Sequence, residues 1–244
     1  MKRTFPPMAA CAALLLSSAA SAYDPVVTSN TVITDERRLA LLEGKIASLQ
    51  KQLDLIEDAR AVERLQQAWG HYVSEGLAHE AAQLFAEAPD ASVEFAQQGV
   101  YVGRARIEAF LSRAVALKDG DIRETPVMQG VVHVAPDGRT AKARWRSLVM
   151  GGTHGVDGTW TEGPYENEYV KENGVWRIRR LHWYTTVIGS YARGWHRDPL
   201  PIPAPLADLP PDRPPTETYQ AFPSFYLPPY HYLNPVTGKP VAAP

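Results

Sequence analysis

Apolar and polar side chains alternate most strictly near the end of the ordered-looking part of the chain, in the stretch YENEYVKENGVWRIRRLHWYTTVIGSY at residues 165–191. Two β-type runs flank Glu172-Asn173-Gly174-Val175, and Asn-Gly between such runs predicts a tight hairpin. Unbroken alternation through the second run puts Trp176, Ile178, Arg180, His182 and Tyr184 on one face. Arg177, Arg179, Leu181 and Trp183 then take the other, because strand side chains repeat every two residues. Both faces mix aromatics with cations. One is expected to line a pocket and the other to meet a partner.

Upstream the period changes. Leu39, Leu42, Ile46, Leu49, Leu53 and Ile56 alternate three and four apart, the spacing of a coiled-coil seam and also of a long amphipathic helix lying on its own domain. Thr34 or Asp35 can cap this helix. At Asp58 the phase shifts, and a second capped helical segment is expected with Val62, Leu65, Trp69 and Tyr72 on one face. Gly76 breaks the pattern. A short helix at 79–85, a strand at 92–95, a turn at 99–103 and a helix at 104–117 follow. Residues 127–134 and 140–150 read as a hairpin through Pro136-Asp137-Gly138. The glycine-rich run 151–158 does not match GxGxxG. This order predicts an α+β fold: a curved antiparallel sheet with helices packed on one face, forming a cone-shaped pocket. A long helix precedes it and a proline-rich tail follows.

Composition adds the two ends. Lys2 and Arg3, an apolar run and Ala20-Ser21-Ala22 form a secretory leader, so residues 1–22 are expected to be cleaved after Ala22 and the product exported, periplasmic or secreted. The boundaries read 1–22 leader, 23–57 lead and coiled-coil helix, 58–194 cone domain and 195–244 arm. Cleavage removes Cys11, the one cysteine, and with it disulfide and thiol chemistry. It also leaves 23 basic against 27 acidic residues, a formal net charge of −4 with no basic block for nucleic acid. No later window approaches a membrane span. Fourteen of the 21 prolines fall at 199–244, among six aromatics. Proline at that density forbids a sheet interior or a helix, while the aromatics imply that the arm docks on the domain or on a neighbouring subunit.

The run VERLQQAWGHYVSEGLAHEAAQLFAEAPDASVEFAQQGVYVGRARIEAFL, with ENEYVKENGVWRIRRLHWY after it, resembles the SnoaL-like branch of the nuclear transport factor 2-like superfamily, the cystatin-like α+β cones. The resemblance spans residues 58–191. It rests on Trp69 and Tyr72 ending a helix, the Leu84-Phe85 pair, Gly103 with its helix, and Gly174-x-Trp176. It implies a cone pocket used by isomerases, dehydratases, cyclases and lyases of small cyclic or aromatic molecules, and by non-catalytic binders. Where scytalone-dehydratase-like members carry Tyr-Asp, this chain has Tyr72-Val73. Their strand histidines fall at Val127 and Trp160. Where ketosteroid-isomerase-like members place an aspartate after a V-E pair, Val93-Glu94 is followed by Phe95.

His182 beside Tyr184 is the expected acid–base pair, an imidazole titrating near neutrality with a phenol to polarise a substrate oxygen. The competing reading is a structural histidine within a strand pair. Tyr72 joins them as a substrate-holding hydroxyl. Trp69, Phe95, Trp145 and Trp176 are expected as walls, with Glu94 and His133 lining the pocket. Glu166 and Glu168 against Arg144 and Arg146 read as a cross-strand ion ladder. No HxH, HxxxH or clustered carboxylate pattern supplies a metal set, and no cofactor is expected. The function expected is a cofactor-independent lyase, dehydratase or isomerase on a small aromatic or polycyclic compound. The alternatives are a binder of small hydrophobic ligands and an oligomeric interaction protein, with a homo-oligomer expected in either case.

Overall fold

The computed structural model describes residues 34–242, so the leader and most of the lead at 23–33 lie outside the described residues. The chain divides into two units, Met1–Lys45 and Ile46–Pro244. Helix α1 (Asp35–Ser74) begins where the Thr34 hydroxyl accepts the Arg37 N–H at 3.4 Å. It is one helix of 40 residues, not two. The phase shift at Asp58 marks a change of surroundings instead of a cap. Before it the apolar side chains are exposed; after it Asp58, Val62, Gln66, Trp69 and Val73 are buried. The Asp58 carboxylate accepts Trp176 Nε1–H at 2.8 Å and meets Lys171 Nζ at 2.5 Å.

Among the described residues two shorter helices, α2 (Ala78–Gln83) and α3 (Arg104–Ala114), accompany eight strands. These are β1 (Ser92–Phe95), β2 (Val100–Val102), β3 (Asp121–Glu124), β4 (Val127–Val134), β5 (Thr140–Thr153), β6 (Asp157–Glu172), β7 (Val175–Trp183) and β8 (Val187–Ser190). The sheet runs β2-β1-β7-β6-β5-β3, with β4 beside β5 and β8 beside β6. It is mixed, not purely antiparallel: β1 lies parallel to β7. Most of the sheet separates those two strands in sequence, so no hairpin dictates their relative direction. Residues 151–158 are the tip of the long β5–β6 hairpin.

One face of the sheet holds the core. Ala141, Ala143, Trp145 and Val149 of β5, Tyr165 and Tyr169 of β6, and Val93 and Phe95 of β1 pack against Trp69 of α1 and Phe110 and Leu111 of α3. Edge-on aromatic contacts join them: Trp69 to Phe95 at 6.2 Å, Phe95 to Phe110 at 5.2 Å and Phe95 to Trp183 at 5.7 Å.

The alternation expected along β7 is interrupted. Ile178 pairs with Tyr169 of β6, but Arg180 pairs with Glu168, so Arg179 has no partner opposite it. This is a β-bulge, and one extra residue inverts every later side chain. Trp176 and Ile178 therefore share the core face with Leu181 and Trp183. His182 turns to the outer face beside Glu94, its register partner on β1.

The arm after residue 194 follows the domain without forming a helix or strand. Its first part continues from β8, where Leu200 N–H donates to Ile188 O at 2.8 Å. Asp208 and Asp212 meet Arg113 and Arg106 of α3. Arg213 then pairs with Val100 at the sheet edge. The rest crosses the outer face, where Phe222 N–H donates to Thr186 O at 2.8 Å and Arg144 Nη1 donates to Pro229 O at 2.9 Å.

Candidate ligand-binding site

The open end of the core face holds a cavity of ≈ 370 Å³. Phe95 and Trp183 form one wall, Val149 and Ile188 another. Leu200, Pro201, Pro203 and Leu206 of the arm cover it. Proline suits that position because it carries no N–H needing a partner against an apolar surface. Thr159, Thr161 and Thr185 add hydroxyls.

Among the described residues Arg123 is the single titratable side chain lining this space. Strand β3 pairs with β5 through Arg123 and Gly151, and its alternation points Ile122 and Glu124 outward and Arg123 inward. One guanidinium nitrogen donates to Ala114 O, at the end of α3, at 2.8 Å. Nε is buried with no hydrogen-bond partner among the described residues. Among the described residues Arg123 forms no ion pair. Burial pulls its pKa below the usual guanidinium range, yet arginine stays charged in proteins. A half-buried cation without a counter-charge carries part of the cost of a buried charge. An incoming anion or carbonyl oxygen relieves that cost, so the cavity is chemically asymmetric: mostly apolar walls with neutral polar groups from Gln98 and the threonines, and one cationic donor.

The side chains singled out from the sequence divide among several places. Phe95 lines the cavity. Trp69 is in the core behind it. Tyr72 packs half-buried against that core and does not line the cavity. Trp176 sits far down the core face on Asp58. Trp145 donates its Nε1–H to Tyr169 OH at 3.0 Å, within a buried network that includes Gln66 and Asn167. His133 is exposed, its Nδ1 2.9 Å from Nε2 of the arm's His231.

His182, Tyr184 and Glu94 do come together, but on the outer face beneath the arm. For His182 and Tyr184 the bulge at Arg179 is the reason, and Glu94 is the register partner of His182 on β1. His182 stacks on Tyr184 with ring centroids 3.7 Å apart. Its Nδ1 lies 3.6 Å from Glu94 Oε2 and 3.5 Å from Thr216 Oγ1, while Nε2 is buried and unpartnered. Burial, aided by the charge of Arg180, pushes the imidazole down to about 3, so it does not titrate near neutrality. Burial raises the Glu94 carboxyl.

On the same face the ion ladder forms in a different register. Arg144 meets Glu166 at 2.5 Å, Lys142 meets Glu168 at 3.5 Å, and Arg146 meets Glu162 at 3.4 Å. No group of three or more metal-ligating side chains occurs among the described residues. No described helix is long and apolar enough to cross a membrane.

Sequence reasoning missed Arg123 and Trp183. Trp183 was assigned to the outer face by uninterrupted alternation. Arg123 had no signal: β3 is four residues long, with charges at three of them.

A curved mixed sheet with helices on one face, enclosing a cavity at its open end, defines a nuclear transport factor 2-like α+β cone. Residues 54–182 match the model of the SnoaL-like domain, and the chain belongs to that family. Among similar solved structures is a candidate scytalone dehydratase from Novosphingobium aromaticivorans, 20% identical over 57% of this chain and 91% of that one, with a TM-score of 0.50. A hexachlorocyclohexane dehydrochlorinase (LinA) of type 2 is 16% identical over 57% of this chain and 92% of that one, with a TM-score of 0.51. At these identities the likeness is one of fold. No curated protein matches the chain.

Proposed function

We propose that the chain binds a small, mostly apolar molecule, aromatic or polycyclic, in the cone cavity, and that Arg123 receives an oxygen of it. The observation that carries this reading is the buried Nε–H of Arg123, unpartnered among the described residues beside a mostly apolar cavity. The cavity's size lies within the usual range for small-molecule sites, about 300–1,000 Å³. Calorimetric titration with 1-naphthoate and with naphthalene tests it. The wild type is expected to prefer the carboxylate at least tenfold, and Arg123→Met to lose that preference. Equal affinities in both proteins would rule the reading out.

Turnover is the second reading, as a cofactor-independent lyase, dehydratase or isomerase. It is favoured by one feature: a desolvated guanidinium is suited to hold the charge of an enolate or alkoxide as a neighbouring bond breaks. Binding ranks ahead because, among the described residues, no carboxylate or imidazole lines the cavity to serve as general base. The His182–Tyr184 pair would have to work on the opposite face of the sheet. Export follows as a proposal from the leader sequence alone. Amino-terminal sequencing of the chain from its own cells should begin at Tyr23; a terminus at Met1 would contradict export by cleavage.

A further inference from the structure

The first half of α1 carries Leu39, Leu42, Ile46, Leu49, Leu53 and Ile56, each between 47% and 65% exposed. A contiguous apolar stripe in water marks an interaction surface. The alternating three- and four-residue spacing makes it a narrow seam, the kind one helix offers to another. The helix is already anchored, since Val62, Trp69 and Val73 further along are buried in the domain core. The cost of nucleating it does not fall on the seam.

The charges beside the seam choose the occupant. With Leu39, Ile46 and Leu53 at heptad position a, and Leu42, Leu49 and Ile56 at d, the g positions are Arg38, Lys45 and Gln52. The e positions are Glu43, Gln50 and Glu57. In a parallel pair of identical helices each g side chain meets the e side chain of the next heptad in the partner. Arg38 then faces Glu43 of the second copy, twice by symmetry, and no like charges meet. An antiparallel pair sets g against g and e against e, which offers no opposite-charge contact and brings acids together. Isoleucine at a with leucine at d in the central heptad favours two strands, whereas Leu53 at a with Ile56 at d in the next favours more, so the charges and not the seam residues select the pair.

We infer that two copies of this chain associate through a parallel, in-register coiled coil of residues 38–57. Sedimentation equilibrium of the full chain should give the mass of two chains. Leu49→Glu, which places a charge in the seam, should give one chain while the domain keeps its thermal transition. Cys11→Ser combined with Leu42→Cys should oxidise almost completely to a covalent pair, since position 42 meets itself only in the parallel register. A wild-type mass of one, three or four chains overturns the inference, as does a Leu49→Glu variant that remains paired. A paired chain in which Leu42→Cys cross-links only to Leu53→Cys overturns the parallel orientation.

Discussion

Thr216 is bonded twice to Glu94, its backbone N–H donating to Oε1 at 2.8 Å and its hydroxyl to Oε2 at 2.8 Å. The two residues stand 122 positions apart. Their contact fixes the arm over the outer face of the sheet and seals His182 and Tyr184 beneath it. Removing it should release the arm locally. Glu94→Ala is expected to cost about 1–3 kcal/mol, the range for orphaning buried partners. It should also speed hydrogen exchange at the Thr216 and Phe222 amides at least tenfold, leaving the core strands unchanged. Unaltered exchange at those amides would show that the arm is held by other contacts.

His182 should make the fold sensitive to acid. Its folded pKa is depressed to about 3 from an ordinary value of 6.5. The folded state therefore takes up the proton later than the unfolded chain. Stability from this group is present above pH 6.5 and is lost as pH falls toward 3. A shift of that size corresponds to a few kcal/mol, on the order of 1.4 per pH unit. Urea denaturation at pH 7 and pH 4 should show a larger loss for the wild type than for His182→Phe, which keeps a ring on Tyr184 without the titration. Equal losses would contradict a buried neutral imidazole.

Asp58 links α1 to the end of the hairpin that the sequence marked most clearly. Asp58→Ala strands Trp176 Nε1–H and leaves Lys171 without its partner at 2.5 Å. The expected loss is about 2–4 kcal/mol, visible as a lower urea midpoint. A loss below that of a surface substitution would place the stability of this corner elsewhere.

Gly163 sits where β6 passes the chain leaving β7. A Cβ there would stand 1.7 Å from Tyr184 O. Gly163→Ala must push the strands apart, and a loss of about 2 kcal/mol or more is expected in thermal melting, as for other overpacked sites. Wild-type melting would mean that the strand yields easily.

These cases show where sequence pattern is enough and where it is not. Asn173 and Gly174 both take positive φ, 50° and 80°, as the hairpin signal requires. The β4–β5 hairpin and α3 were equally legible, because local period and turn chemistry decide them. The inversion at Arg179 was not. A bulge is fixed by how β7 meets β6, and no residue type near Arg179 announces it. That one residue moved Trp183 into the cavity and His182 out of it. Arg123 stayed hidden for a related reason: its burial depends on α3, β5 and the arm converging from distant parts of the chain. The path of the arm was equally closed to periodicity, since Glu94 and Thr216 meet only in three dimensions.

Arg123 also predicts a conflict between stability and binding. Arg123→Met keeps the stem's apolar contacts and removes a half-buried charge that has no ion-pair partner among the described residues, a gain set against the loss of its bond to Ala114 O. The variant should unfold at higher urea than the wild type, by about 1 kcal/mol or more, while losing its preference for an acidic ligand. A destabilised variant would mean that the guanidinium is already satisfied in the empty protein.

The most direct measurement is the nitrogen-15 NMR signal of the Arg123 Nε–H, identified by its absence in Arg123→Met. Saturating 1-naphthoate should move that signal downfield into the range of a hydrogen-bonded guanidinium, and naphthalene should leave it near its starting position. An Nε–H signal unmoved by a carboxylate that shifts the Phe95 and Trp183 resonances would contradict the central claim.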